Sequence, residues 1–160
     1  MSSQPGKGGK ELKIVTRHPI TVDDIRRDES KVKLLHIVRL YGEITEKALQ
    51  HLVYELGQKG FDTGYEFSLI GGVPSSRALR DSLIALLYTG LLETNPRNKK
   101  LRLTSMAIEE FLPTVKIPEE ELGKLKELIE ELRPKISAID AEVELATMLG
   151  KSGRRRRRRF

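Results

Sequence analysis

Cysteine and tryptophan are absent from this chain, and histidine occurs only three times. Without cysteine there is no disulfide, no thiolate metal site and no cysteine nucleophile. His18, His36 and His51 are scattered, and no two share an i, i+4 helix face, so no zinc-site pattern exists. No apolar run approaches the ~18 residues of a membrane span, and "MSSQPGKGGKELK" lacks the apolar core of a signal peptide. The "GKS" at 150–152 lacks the upstream glycine of a phosphate loop, whose place Leu145 takes. These absences lead us to expect a soluble cytoplasmic protein that is not an enzyme. They give no sign of a cofactor, a metal, a membrane partner or a small-molecule sensor pocket.

Charge is abundant. Of 160 residues, 32% are charged and 38% hydrophobic, enough for one domain plus an extension. The formal net charge of +6 equals the six arginines Arg154, Arg155, Arg156, Arg157, Arg158 and Arg159. The rest is balanced overall but segregated. Residues 1–19 carry +3, residues 75–103 carry +4, and residues 104–150 carry −6. Such asymmetry speaks to partners more than the total does.

Residues 1–20 are rich in Gly, Ser and Lys and read as a flexible basic arm. Thr21 as N-cap, with Asp23 and Asp24 behind it, predicts a first helix over 23–41, ended by Gly42. Thr45 caps a second over 46–59. Tyr65, Phe67 and Leu69 alternate with polar residues, predicting one short strand before Gly71, Gly72 and Pro74 break it. Ser75 or Ser76 caps a third helix over 76–89, with Leu79, Leu83, Leu86 and Leu87 as its apolar stripe and Arg77, Arg80, Asp81 and Ile84 on its other face. "TNPRNKKLRLT" then resolves into a hairpin: strands at 91–93 and 101–103 around a basic Asn95–Asn98 turn. A fourth helix follows over 105–112.

The two prolines of "PTVKIP" mark 113–118 as a linker. From Glu119 the chain is acidic and helical. Leu122, Leu125, Ile129, Leu132, Ile136, Ile139 and Val143 fall at 3-4 spacing, a heptad seam over 119–150. Pro134 inside it predicts a kink or a break into two helices. The seam suits a homodimer, or packing back onto the preceding domain. Residues 151–160 form the Arg-rich tail, expected to be disordered because six adjacent guanidiniums repel. The fold class is therefore mostly α with a small β hairpin (α+β): residues 21–112 as one domain, then coiled-coil-like helices and the tail.

The run "LRDSLIALLYTGLLETNPRNKKLRLTSMAIEEF" resembles the winged helix-turn-helix DNA-binding proteins of archaea, small crenarchaeal members included. The resemblance covers residues 30–112 and rests on a helix, "GLLE", a basic turn and "LRLT" leading into another helix. It implies a reader helix carrying Ser76, Arg77 and Arg80 and a wing carrying Arg97, Lys99, Lys100 and Arg102. The chain departs from a simple helix-turn-helix in that residues 60–75 separate the second and third helices, enough for an inserted strand beside the wing.

The expected function is nucleic-acid binding as a dimer. Duplex DNA is favoured and RNA is open, in transcription control or chromosome organisation within the nucleoid. The six arginines would neutralise phosphates whatever the sequence, and six full contacts would give a log–log salt slope of about −5. The alternative is an adaptor of a ribosome, replication or transcription assembly whose tail lies on RNA or DNA. An antitoxin-like interaction protein is a third reading.

Overall fold

A computed structural model describes residues 20–158 of the chain, with side chains through Leu149; the expected basic arm at 1–19 lies outside the described residues. Thr21 and Asp24 cap each other's backbone, the Thr21 N–H donating to the Asp24 carboxylate at 2.9 Å, and start α1 (Val22–Arg26). The single helix expected over 23–41 is in fact two. Asp28 takes extended backbone and accepts from the Lys31 N–H, so α2 (Glu29–Tyr41) has its own N-cap. A short carboxylate that bonds the backbone ahead of it stops one helix and starts the next. The corner drops Ile25 into the core.

α3 (Glu46–Gln58) is capped by Thr45, whose hydroxyl accepts from the Ala48 N–H. It ends at Gly60, whose φ of +96° lets Phe61 turn back and donate its N–H to the Leu56 carbonyl at 2.9 Å. β1 (Ser68–Ile70) pairs antiparallel with β2 (Val73–Ser75). The strand expected beside the wing thus has its own partner, and this hairpin is a sheet separate from the later one. The reason is local. Gly71 and Gly72 both have positive φ, as a two-residue hairpin turn requires.

α4 (Arg77–Tyr88) follows, then β3 (Leu92–Thr94) and β4 (Leu101–Leu103), paired with Leu92 opposite Leu103. Ile44 adds a rung outside β4, exchanging both backbone hydrogen bonds with Leu101 at 2.7 and 3.1 Å. The segment expected as a helix over 105–112 is helical but irregular: it opens α-helical at 105–106, widens into a π-helix (Ala107–Phe111) and tightens into a 3₁₀ turn (Leu112–Thr114). The architecture is mostly helical with two small antiparallel hairpins.

α5 (Glu119–Arg158) is one uninterrupted helix of 40 residues, ~60 Å long. Pro134 does not break it, because anchors flank the proline on both sides. Leu132 and Ile136 are buried, and the Arg133 guanidinium donates to the Leu40 and Tyr41 carbonyls at 3.2 and 3.0 Å. Those carbonyls end α2 and have no partner further along that helix. Arg133 also lies over the Tyr41 ring, 4.7 Å from its centroid.

Of the two partners open to the heptad seam, a second copy or the preceding domain, the preceding domain is in contact: the seam packs on α2 and α3 of the same chain. Leu125, Ile129, Leu132 and Ile136 belong to the one hydrophobic core, while Leu122, Ile139 and Val143 are half-buried at its margins. The Glu55–Lys135 and Lys59–Glu131 ion pairs join α3 to α5 along this contact. Residues 119–140 therefore complete the domain that the sequence places before a linker. The tail expected to be disordered continues α5 to Arg158. Arginine is a good helix former, and cations at a helix C-terminus oppose its negative end. Among the described residues no helix is long and apolar enough to cross a membrane.

Candidate nucleic-acid interface

The residues expected to meet nucleic acid divide into three groups. Ser76 is 1% exposed and cannot be a contact. Its hydroxyl accepts from the Leu79 N–H as the N-cap of α4. Its backbone is bracketed by Gln50, whose Oε1 accepts from the Ser76 N–H at 2.9 Å and whose Nε2 donates to the Ser76 carbonyl. This bracket sets α4 against α3.

Lys100 and Arg102 form the second group, cations already neutralised within the chain. Lys100 Nζ lies 2.7 Å from Glu144 of α5, and that hydrogen bond raises its pKa. Arg102 lies between Glu93 at 2.8 Å and Glu43 at 3.2 Å. Each of these two cations is thus shared with a carboxylate of its own chain. The cross-strand pair Arg102–Glu93 staples the hairpin instead.

Arg77, Arg80, Arg97 and Lys99 form the third group and are exposed. Arg77 and Arg80 occupy the first turn of α4, and Arg80 Nε lies 3.7 Å from Glu46 Oε2. Glu46 in turn lines a cleft with Lys47, Arg97 and Lys99. The fold thus gathers Arg80, Arg97 and Lys99, far apart in sequence, around the N-terminus of α3.

Glu43, absent from the sequence reading, organises the hairpin tip. Its carboxylate accepts from Asn95 Nδ2 at 3.0 Å and Asn98 Nδ2 at 2.9 Å. Those bonds, Asn98 first, hold Glu43 below the usual carboxylate range, with Arg102 adding to the effect. Asn95 and Asn98 also accept from the Arg97 and Lys100 N–H groups at 2.9 Å each. Lys99 sits at the tip with φ +61°, the one non-glycine residue in left-handed backbone among the described residues. The tip is therefore pre-shaped by its own hydrogen bonds. The asparagines signalled a turn, but nothing in the sequence tied them to a carboxylate fifty residues away.

Asp140 is the other residue that sequence reasoning missed. It is 5% exposed, and its Oδ1 accepts from both the Thr45 N–H (2.9 Å) and the Thr45 hydroxyl (2.6 Å). α5 thereby fixes the start of α3 beside the tip. Asp140→Ala leaves a buried N–H and hydroxyl without acceptor, a cost of ~1–3 kcal/mol. Urea unfolding of Asp140→Ala should show that loss, and Asp140→Asn, which keeps a carbonyl acceptor, a smaller one. Equal stability of wild type and Asp140→Ala would remove Asp140 from this role.

The histidines are structural or peripheral. His36 is buried, its Nε2 3.0 Å from the Val115 carbonyl. Burial, then Lys47 and Lys135, hold the pKa of His51 below its ordinary value. His18 lies outside the described residues, as does Arg159. Arg154–Arg158 lie on the last turns of α5. No protein-family model, curated protein or solved structure matches the chain.

Proposed function

We propose that this chain is a winged-helix nucleic-acid-binding protein that contacts duplex DNA in transcription control or chromosome organisation. The observation that carries the reading is the gathering of exposed cations from two elements around the start of α3: Arg80 from the first turn of α4, where Arg77 also lies, and Arg97 and Lys99 from the hairpin tip. In this reading α4 is the reader helix, β3–β4 is the wing, and the Ile44 rung is the wing's third strand. A helix whose N-terminal residues face a groove, flanked by a basic loop on phosphate, is a recurrent way to bind a duplex.

The Arg run belongs to the same footprint. Lys100 ties Glu144 to the wing, and Arg154 begins ~15 Å further along the same helix. Contact through this face needs no second copy, because the central seam residues are already buried within the chain. A second reading, the adaptor, draws on one observation. The outer face of α4 carries Ile84 and Tyr88, 58% and 67% exposed, in line with Arg77 and Arg80. Exposed apolar side chains of that size suit a protein surface or a stacked base as well as a groove.

The test is fluorescence-anisotropy titration of the full chain with duplex DNA and with structured RNA at low salt. Arg77→Ala/Arg80→Ala and Arg97→Ala/Lys99→Ala should each weaken duplex binding by about tenfold or more, as expected for charge-assisted contacts. Unchanged duplex affinity in both double variants sinks the helix-plus-wing reading. Tighter binding of RNA moves the conclusion to the adaptor.

A further inference from the structure

The cleft beside the wing has a chemistry that nucleic-acid contact does not require. It measures about 360 Å³ and lies between the start of α3, the hairpin tip and residues 143–148 of α5. Its rim carries Lys47, Arg97 and Lys99, and one wall is made by Val143 and Met148. Two carboxylates also reach it, but both are engaged. Glu46 faces Arg80 at 3.7 Å, and Glu144 holds Lys100 at 2.7 Å. Among the described residues no carboxylate lies within ion-pair distance of Lys47, Arg97 or Lys99. The cleft therefore presents unbalanced positive charge over an apolar wall. Its walls are held in place, by Glu43 at the tip and by Asp140 at the start of α3.

We propose that this cleft binds a small amphipathic anion, an organic carboxylate, sulfonate or phosphate with an apolar or aromatic body. The volume lies within the range of small-molecule sites. Charge decides the polar end, because an anionic group there is met by three cations and displaces no internal ion pair. The wall decides the other end, because the half-buried Val143 and the exposed Met148 gain cover from an apolar body. Such a ligand occupies Arg97 and Lys99, so it competes with nucleic acid for the wing. That consequence rests on the nucleic-acid reading; the binding site does not.

The probe is 8-anilinonaphthalene-1-sulfonate, an aromatic sulfonate whose fluorescence rises on binding, titrated into the full chain without nucleic acid. One saturable site is expected. Binding should fall about tenfold or more in Arg97→Ser/Lys99→Ser, the scale of lost charge-assisted hydrogen bonds. It should also fall in Met148→Glu, and persist in Leu69→Ser/Ile70→Ser, which changes the exposed apolar tip of the other hairpin. The uncharged analogue N-phenyl-1-naphthylamine should bind more weakly than the sulfonate. All of these positions are exposed, so the variants keep the core, and matching circular dichroism spectra check it. The proposal is overturned by equal dye binding in Arg97→Ser/Lys99→Ser, by a neutral analogue that binds as tightly, or by the absence of a saturable site. Because no nucleic acid is present, these outcomes are independent of whether the wing contacts DNA.

Discussion

A chain cut after Pro118 is expected to lose its cooperative unfolding transition. Residues 21–112 read as one domain in the sequence, with 113–118 as a linker, but the surface that α2 and α3 offer to α5 is apolar. Leu125, Ile129, Leu132 and Ile136 are each at most 5% exposed. Burying an aliphatic side chain of this size stabilises by ~1.5–3 kcal/mol, so the four together contribute roughly 6–12 kcal/mol. The net stability of a domain is ~5–15 kcal/mol, so losing α5 consumes most or all of it. Truncation also strips the α2 carbonyls of the Arg133 guanidinium and Thr45 of Asp140. The single substitution Ile129→Ala should cost ~2–5 kcal/mol in the full chain. Urea titration followed by circular dichroism reads both. A truncated chain that still melts in one sharp transition would show that α5 is an appendage and that its seam is free for another partner.

The second large effect concerns salt. A free tail of six arginines that met six phosphates would give a log–log salt slope of about −5. A run of six residues that keeps helical spacing, 3.6 residues per turn, can set only roughly two or three on any one duplex. Removing residues 154–160 should therefore flatten the measured slope on duplex DNA by only ~2–3. Anisotropy titrations of the full chain and the 1–153 chain across a salt series give the difference directly. A difference near 5 would mean that the last turns of α5 unwind onto the nucleic acid. No difference would remove the Arg run from the footprint. The geometry thus converts a charge count into a smaller number, and the experiment chooses between them.

Some of this architecture was legible locally. The bounds of α3, α4, β3 and β4 follow from Thr45, Ser76 and the glycines that end the helices, because caps and turns act over a few residues. The break between α1 and α2 was also signalled, since Asp28 followed by Glu29 is an N-cap pattern, but the continuous apolar periodicity outweighed it. The β1–β2 hairpin is half visible in Gly71-Gly72, since adjacent glycines fit a strand breaker and a hairpin turn alike and only their positive φ makes them a turn. The candidate site was less legible. Charge type identified Arg77, Arg80, Arg97 and Lys99, yet the same criterion included Lys100 and Arg102, whose charges Glu144, Glu93 and Glu43 neutralise.

The sequence by itself determined where helices start and stop, where the basic hairpin turns, and that residues 119–143 present one apolar face. Those features depend on backbone sterics, caps and periodicity, all set within a turn or two of chain. Only the tertiary structure decided which surface covers that face, which cations keep their charge free, and that a cleft opens between α3, the wing and α5. A heptad repeat specifies that a face is buried, but not by whom. A lysine's availability depends on whichever carboxylate the fold brings within 3 Å, and Glu144 reaches Lys100 from a helix that begins beyond the hairpin and returns along the core.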